Sequence, residues 1–159
     1  MKTIHRRGAI AATLAWLGTA GFAGAIHADE KPLVEVWKSP TCGCCKDWVA
    51  HMEEHGFVVR VHDSGNTTMR QRLGLPQQLG SCHTALVGGY VVEGHVPAQD
   101  VKRMLAEKPK ALGLTVPGMP VGSPGMDGAV YGGRRDPYDV LLVSGRGDAA
   151  TTRVWRAVR

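Results

Sequence analysis

The sequence predicts an α/β fold: a mixed sheet flanked by helices, with a C-terminal methionine-containing loop and a β-hairpin extension. Three observations carry this. Leu33-Val34-Glu35-Val36-Trp37 is a run of β-formers, and Phe57-Val58-Val59-Arg60-Val61-His62 is another. Between them Cys45, Trp48, Val49 and Met52 fall at i, i+3, i+4 and i+7, one face of a helix. Strand, helix and strand in that order imply a parallel pair. Gly88-Gly89 stands between two β-like runs and marks a hairpin. Residues 138–143 and 151–158 are again β-like, and Ser144-Gly145-Arg146-Gly147-Asp148 turns between them.

The chain of 159 residues starts with a basic segment carrying Lys2, Arg6 and Arg7. Residues 8–26 hold no charge, and small residues follow at Ala25 and Ala28. This is the pattern of a secretory signal over residues 1–28, with Asp29 the first mature residue. Arg6-Arg7 also leaves twin-arginine export open. An uncleaved membrane anchor is the alternative, but the many Ala and Gly residues make the run weakly apolar. Residues 29–110 are expected to form the first domain, and 111–159 an extension that completes a metal site. Removing Lys2, Arg6 and Arg7 takes the formal net charge from +5 to +2. No Lys/Arg cluster is interleaved with aromatic residues, so nucleic acid is excluded as a partner.

After the first strand, Ser39-Pro40-Thr41-Cys42-Gly43-Cys44-Cys45-Lys46 delivers three thiols to a turn at a helix N-terminus. Cys42 is expected just outside the helix and Cys45 in its first turn. The positive end of a helix favours thiolate, the form that reacts and binds metals. Inert core cysteines have no reason to crowd one polar turn. His55 is expected in the last turn, with Gly56 as the left-handed exit. His51 and His55 are four apart and could share a metal, but nothing nearby completes that site, so they are read as facing water.

Asn66 or Thr67 is expected to cap a short helix ending at Leu73, before Gly74 and Pro76. Cys82-His83 then opens the strand that runs into the Gly88-Gly89 hairpin. Ala98, Val101, Met104 and Leu105 mark another amphipathic helix, closed by Pro109. Gly132-Gly133 and Asp136-Pro137 punctuate the remainder, and Arg134-Arg135 is read as solvated loop charge.

The cysteine turn, lying after a strand and before a helix, resembles the thioredoxin active-site turn, and the resemblance extends over about residues 33–108. Cys42 and Cys45 match the two redox cysteines, and Cys44 takes the place of an intervening proline. Thioredoxins carry a cis-proline opposite the cysteines; here Cys82-His83 lies near that place, which departs from ordinary disulfide exchange. A closer resemblance covers nearly all the mature chain. Cys42-Gly43-Cys44-Cys45, Ser81-Cys82-His83-Thr84, Glu93-Gly94-His95-Val96-Pro97 and residues 117–126, with Met119 and Met126, are similar to the CopG-type copper-resistance family. That resemblance implies a thioredoxin-like domain and a periplasmic, cysteine-bridged site for several copper ions that cycle between Cu(I) and Cu(II).

The residue chemistry agrees. Thiolates and thioethers are soft and favour Cu(I), while imidazole suits either oxidation state. The expected metal ligands are Cys42, Cys44, Cys45, Cys82, His83, His95, Met119 and Met126. Cys42 and Cys45 are the expected catalytic pair. Each histidine has a hydrogen-bonded structural role as its alternative. The methionines have core filling as theirs, although Pro and Gly surround them. Glu93 is expected to orient an imidazole, and Lys46 either to stabilise thiolate or to be solvated.

The leading reading is a monomeric periplasmic copper-binding redox protein, free of the membrane after signal cleavage, with a copper efflux or chaperone protein as partner. The competing readings are a thiol-disulfide oxidoreductase, with Cys42 attacking and Cys45 resolving, and a non-catalytic copper buffer or carrier. Zinc suits Cys and His, and an iron–sulfur cluster suits four cysteines, but the paired methionines favour the softer ion.

Overall fold

The computed structural model describes residues 31–159. The signal expected over 1–28 lies outside the described residues. Among the described residues no helix is long and apolar enough to cross a membrane.

Strand β1 (Leu33–Lys38) leads into helix α1 (Gly43–Glu54), which returns to strand β2 (Val58–His62). β2 pairs with β1 in parallel. Helix α2 (Thr67–Leu73) and a 3-10 turn (Gln77–Leu79) lead to β3 (His83–Val87). β3 runs antiparallel to both β1 and β4 (Tyr90–Glu93). Gly88 and Gly89 join the hairpin with φ of 55° and 84°, a conformation that only glycine adopts readily.

Helix α3 (Ala98–Glu107) crosses to β5 (Gly113–Thr115), which lies parallel to β4. The terminal hairpin of β6 (Tyr138–Ser144) and β7 (Thr151–Val158) joins through β5. One seven-stranded sheet results, in the order β2-β1-β3-β4-β5-β6-β7. Strand β5 is not among the sequence expectations, because three residues are too few to show a period.

The main core gathers Val34, Val36, Ala85, Val92, Leu114 and Leu142 under Trp48 and Met52 of α1 and Val101 and Met104 of α3. Each fully buried Val, Leu or Met side chain among them contributes on the order of 1.5–3 kcal/mol. A smaller cluster of Leu75, Val91, Leu112 and Val143 packs with Leu73 on the opposite face. Val91 and Val92, or Leu142 and Val143, serve different clusters because strand side chains alternate between faces.

The pairing brings three strand ends together. Lys38 ends β1 opposite His83, which opens β3, and Glu93 ends β4 opposite Thr84. The N-terminus of α1 rises from this same end of the sheet.

Candidate metal centre

The cysteine turn is built by local rules. The Cys42 N–H donates to the Ser39 carbonyl at 3.1 Å, closing the turn. Cys42 is then the N-cap of α1 in extended conformation, and Cys44 and Cys45 fall in the first helical turn. Cys42 and Cys45 form a disulfide, while Cys44 and Cys82 are free thiols. The Cys44 sulfur lies 3.5 Å from that of Cys42 and 3.9 Å from that of Cys82. All four sulfurs lie within 4.8 Å of one another.

Cys82 also belongs to a second group. Its sulfur is 3.1 Å from His95 Nε2 and 3.4 Å from His83 Nδ1. The His95 Nδ1–H donates to the Pro124 carbonyl at 2.8 Å. That bond fixes the tautomer and turns the Nε2 lone pair toward Cys82, as metal-binding histidines require. His83 is fully buried, and its Nε2 has no hydrogen-bond partner in the protein. Its ring packs against Trp48 at 4.4 Å and edge-on to His95 at 5.1 Å.

The electrostatics keep both imidazoles neutral. Burial, and then His95 and Lys38, hold His83 well below the usual histidine range. Burial lowers His95 as well. A neutral imidazole is the form that binds metal. Burial, and then Cys44, push the Cys82 thiol up to about 12. An ion bound there must displace a tightly held proton.

A buried polar network holds the Cys82 loop. Glu93 is fully buried, and its carboxylate accepts from Arg70 Nε at 2.9 Å, the Ser81 N–H at 2.7 Å and the Thr84 hydroxyl at 2.6 Å. Arg70 Nη2 and Asn66 Nδ2 both donate to the Ser81 carbonyl. Glu93 therefore anchors the loop before β3 and does not orient an imidazole as expected. Its reach is spent on Arg70, Ser81 and Thr84. Asn66 is the N-cap position of α2 but makes no side-chain cap, because its amide serves Ser81 and Thr84 instead.

The 117–126 loop closes over this arrangement. The Ser81 hydroxyl donates to the Gly118 carbonyl, and the Gly118 N–H donates to the Gly80 carbonyl at 3.2 Å. Gly125, at φ +83°, lies against α1 so closely that an added Cβ would sit 2.6 Å from the Cys44 carbonyl oxygen. Glycine is required here on both counts.

The two methionines differ. Met119 is 52 % exposed and lines a groove of about 330 Å³ with Arg70, Ser81 and Cys82. Met126 is buried, and its sulfur accepts from the Tyr131 hydroxyl at 3.2 Å. Lys46 is exposed. Lys38, by contrast, is buried and paired with Asp63 at 2.6 Å. His51 does not simply face water: it accepts from the Ala98 N–H at the start of α3, and the His55 ring donates back to the His51 carbonyl.

Comparison with known proteins adds the family. A model described as a protein of unknown function, DUF411, matches residues 79–126. No curated protein matches the chain. A solved structure titled copper resistance protein copG, form 2, is 40% identical at a TM-score of 0.73, covering 82% of this chain and 100% of that one. The form 1 structure is 41% identical at 0.72, covering 81% and 98%. The chain belongs to the CopG copper-resistance family.

For a member of this family the donor set fits a soft ion. Two free thiols, the Cys42–Cys45 pair that supplies two more when reduced, and two neutral imidazoles converge. Sequence reasoning missed Arg70 and Lys38, and gave Asn66 only as a helix cap. Only the polarity of an otherwise apolar helix face or strand end could have indicated them, and exposed residues show the same signal.

Proposed function

We propose that this protein binds copper through Cys42, Cys44, Cys45, Cys82, His83 and His95, in a site for several ions, and interconverts Cu(I) and Cu(II). The observation that carries this reading is the sharing of Cys82. Its sulfur joins a four-sulfur group to a two-imidazole group. The first favours Cu(I), while nitrogen donors accept either oxidation state. Met119, exposed beside Cys82, is the thioether that meets arriving copper. Met126 adds a second thioether from the end of the closing loop.

The reading places the protein in the periplasm as a monomer after removal of residues 1–28. The domain over 29–110 is thioredoxin-like, and 111–159 completes the site through Pro124 and Gly125. A copper efflux or chaperone protein is the partner. The test is to produce the exported protein with copper and measure metal per chain and absorption in oxidised and reduced states. Several coppers per chain and a reversible spectral change are expected. Stoichiometric copper retained by Cys82→Ser, which removes the sulfur common to both groups, rejects the assignment.

The Cys42–Cys45 disulfide at a helix N-terminus favours a second reading, a thiol-disulfide oxidoreductase. Insulin reduction by metal-free protein, lost in Cys42→Ser, is its signature.

A further inference from the structure

The disulfide divides the centre into two sets of residues with different work to do. Cys42 and Cys45 are joined, while Cys44 and Cys82 remain thiols although their sulfurs are only 3.9 Å apart. Cys82, His83 and His95 form a ligand group that includes neither disulfide cysteine. Closing the disulfide therefore removes two sulfurs from the four-sulfur group and leaves the sulfur–imidazole group intact. The two halves of the pair also differ in access. Cys42 is partly exposed at the N-cap, and Cys45 is fully buried.

We propose that the Cys42–Cys45 pair is the electron store for reducing Cu(II), while Cys44, Cys82, His83 and His95 hold copper through the change. This rests on the copper reading above and assigns its electron source. The step balances. Two thiols, on Cys42 and Cys45, lose two protons and two electrons, and a sulfur–sulfur bond forms. Two Cu(II) ions each take one electron and become Cu(I). The centre then has two free thiols in place of four, so it holds Cu(I) less well after the step than before it. Reduction and release are coupled in one device. An external dithiol restores the pair by attacking the Cys42 sulfur, the accessible one, and leaves as a disulfide.

The experiment uses metal-free, fully reduced protein, freed of reductant and kept anaerobic, given two equivalents of Cu(II) chloride. Four readouts are taken: the Cu(II) paramagnetic signal, Cu(I) captured by a chromogenic chelator, free thiols, and the disulfide mapped by peptide mass spectrometry. The expected result is loss of the Cu(II) signal, two Cu(I) per chain, two of the four thiols lost, and the new bond mapped to Cys42–Cys45. In Cys42→Ser and Cys45→Ser the Cu(II) signal persists over the time in which the parent loses it. A bond mapped to Cys44–Cys82 overturns the proposal. So does bound copper with all four thiols intact, which leaves copper binding itself standing. Protein that takes up no copper at all sinks both readings.

Discussion

Cys42, Cys44 and Cys45 come from four consecutive residues, and two of the three are partly exposed. His83 and His95, on the other side of Cys82, come from opposite ends of a β-hairpin, and both are fully buried. The sulfur side is set by one turn and one helix start. The imidazole side needs β1, β3, β4 and the 117–126 loop all in place. Local construction suits the Cys42–Cys45 pair, whose partners are close enough in the chain to join as a disulfide. Remote construction suits donors that hold still: both rings are buried, and the Pro124 hydrogen bond fixes that of His95.

The sharpest test of that contrast is the residue common to both sides. Cys82→Ser removes a donor from both groups and is expected to lower copper affinity by roughly 100-fold or more, beyond the loss typical of an outer-shell change. Cys44→Ser touches the sulfur group alone and should lose clearly less. Equal losses in a competition titration against a Cu(I) chelator would erase the distinction.

The imidazole side depends on the network under it, so its foundation is the next place to strike. Arg70→Ala leaves the Glu93 carboxylate buried without its cation, and this should cost about 3–5 kcal/mol of stability. Chemical denaturation of the metal-free protein measures it. A change under about 1 kcal/mol would mean that the pair behaves as a surface bridge.

Where the two sides meet, the contact is glycine. Gly125→Ala puts a Cβ 2.6 Å from the Cys44 carbonyl oxygen at a φ of +83° and is expected to cost about 1–3 kcal/mol from backbone strain. Gly43→Ala, in the same helix turn with nothing within 4 Å of its Cβ, is the matched control and should be neutral or slightly stabilising. Comparable destabilisation of both variants would refute the close approach.

The most gradual effect separates the sides by pH. His83 and His95 have folded-state values below the usual 6.5. The unfolded chain therefore takes up protons, as pH falls through 6.5, that the folded protein cannot. Stability of the metal-free protein should fall below that pH, by at most about 1.4 kcal/mol per unit for each histidine. Replacing both histidines with glutamine should flatten the slope. An unchanged slope would show that these imidazoles are not held neutral.

Much of this was legible in the chain. Hydrophobic spacing located α1 and α3, Gly88-Gly89 located the hairpin, and β-rich runs located the terminal strands, because these depend on the period of side chains along a single element. The cysteine turn was equally clear, since Cys42, Cys44 and Cys45 are neighbours in the chain. Strand β5 was not legible, nor was the role of Asn66, whose side chain serves Ser81 rather than its own helix.

The sequence alone thus determined which elements form and which donors the protein owns. The tertiary structure decided which donors meet. It brought Cys82 against the turn, aimed His95 by way of Pro124, set Glu93 on Arg70 rather than an imidazole, and distinguished the exposed Met119 from the buried Met126. Those choices depend on contacts between residues far apart in the chain. Strand pairing and burial select such contacts, and no local period records them.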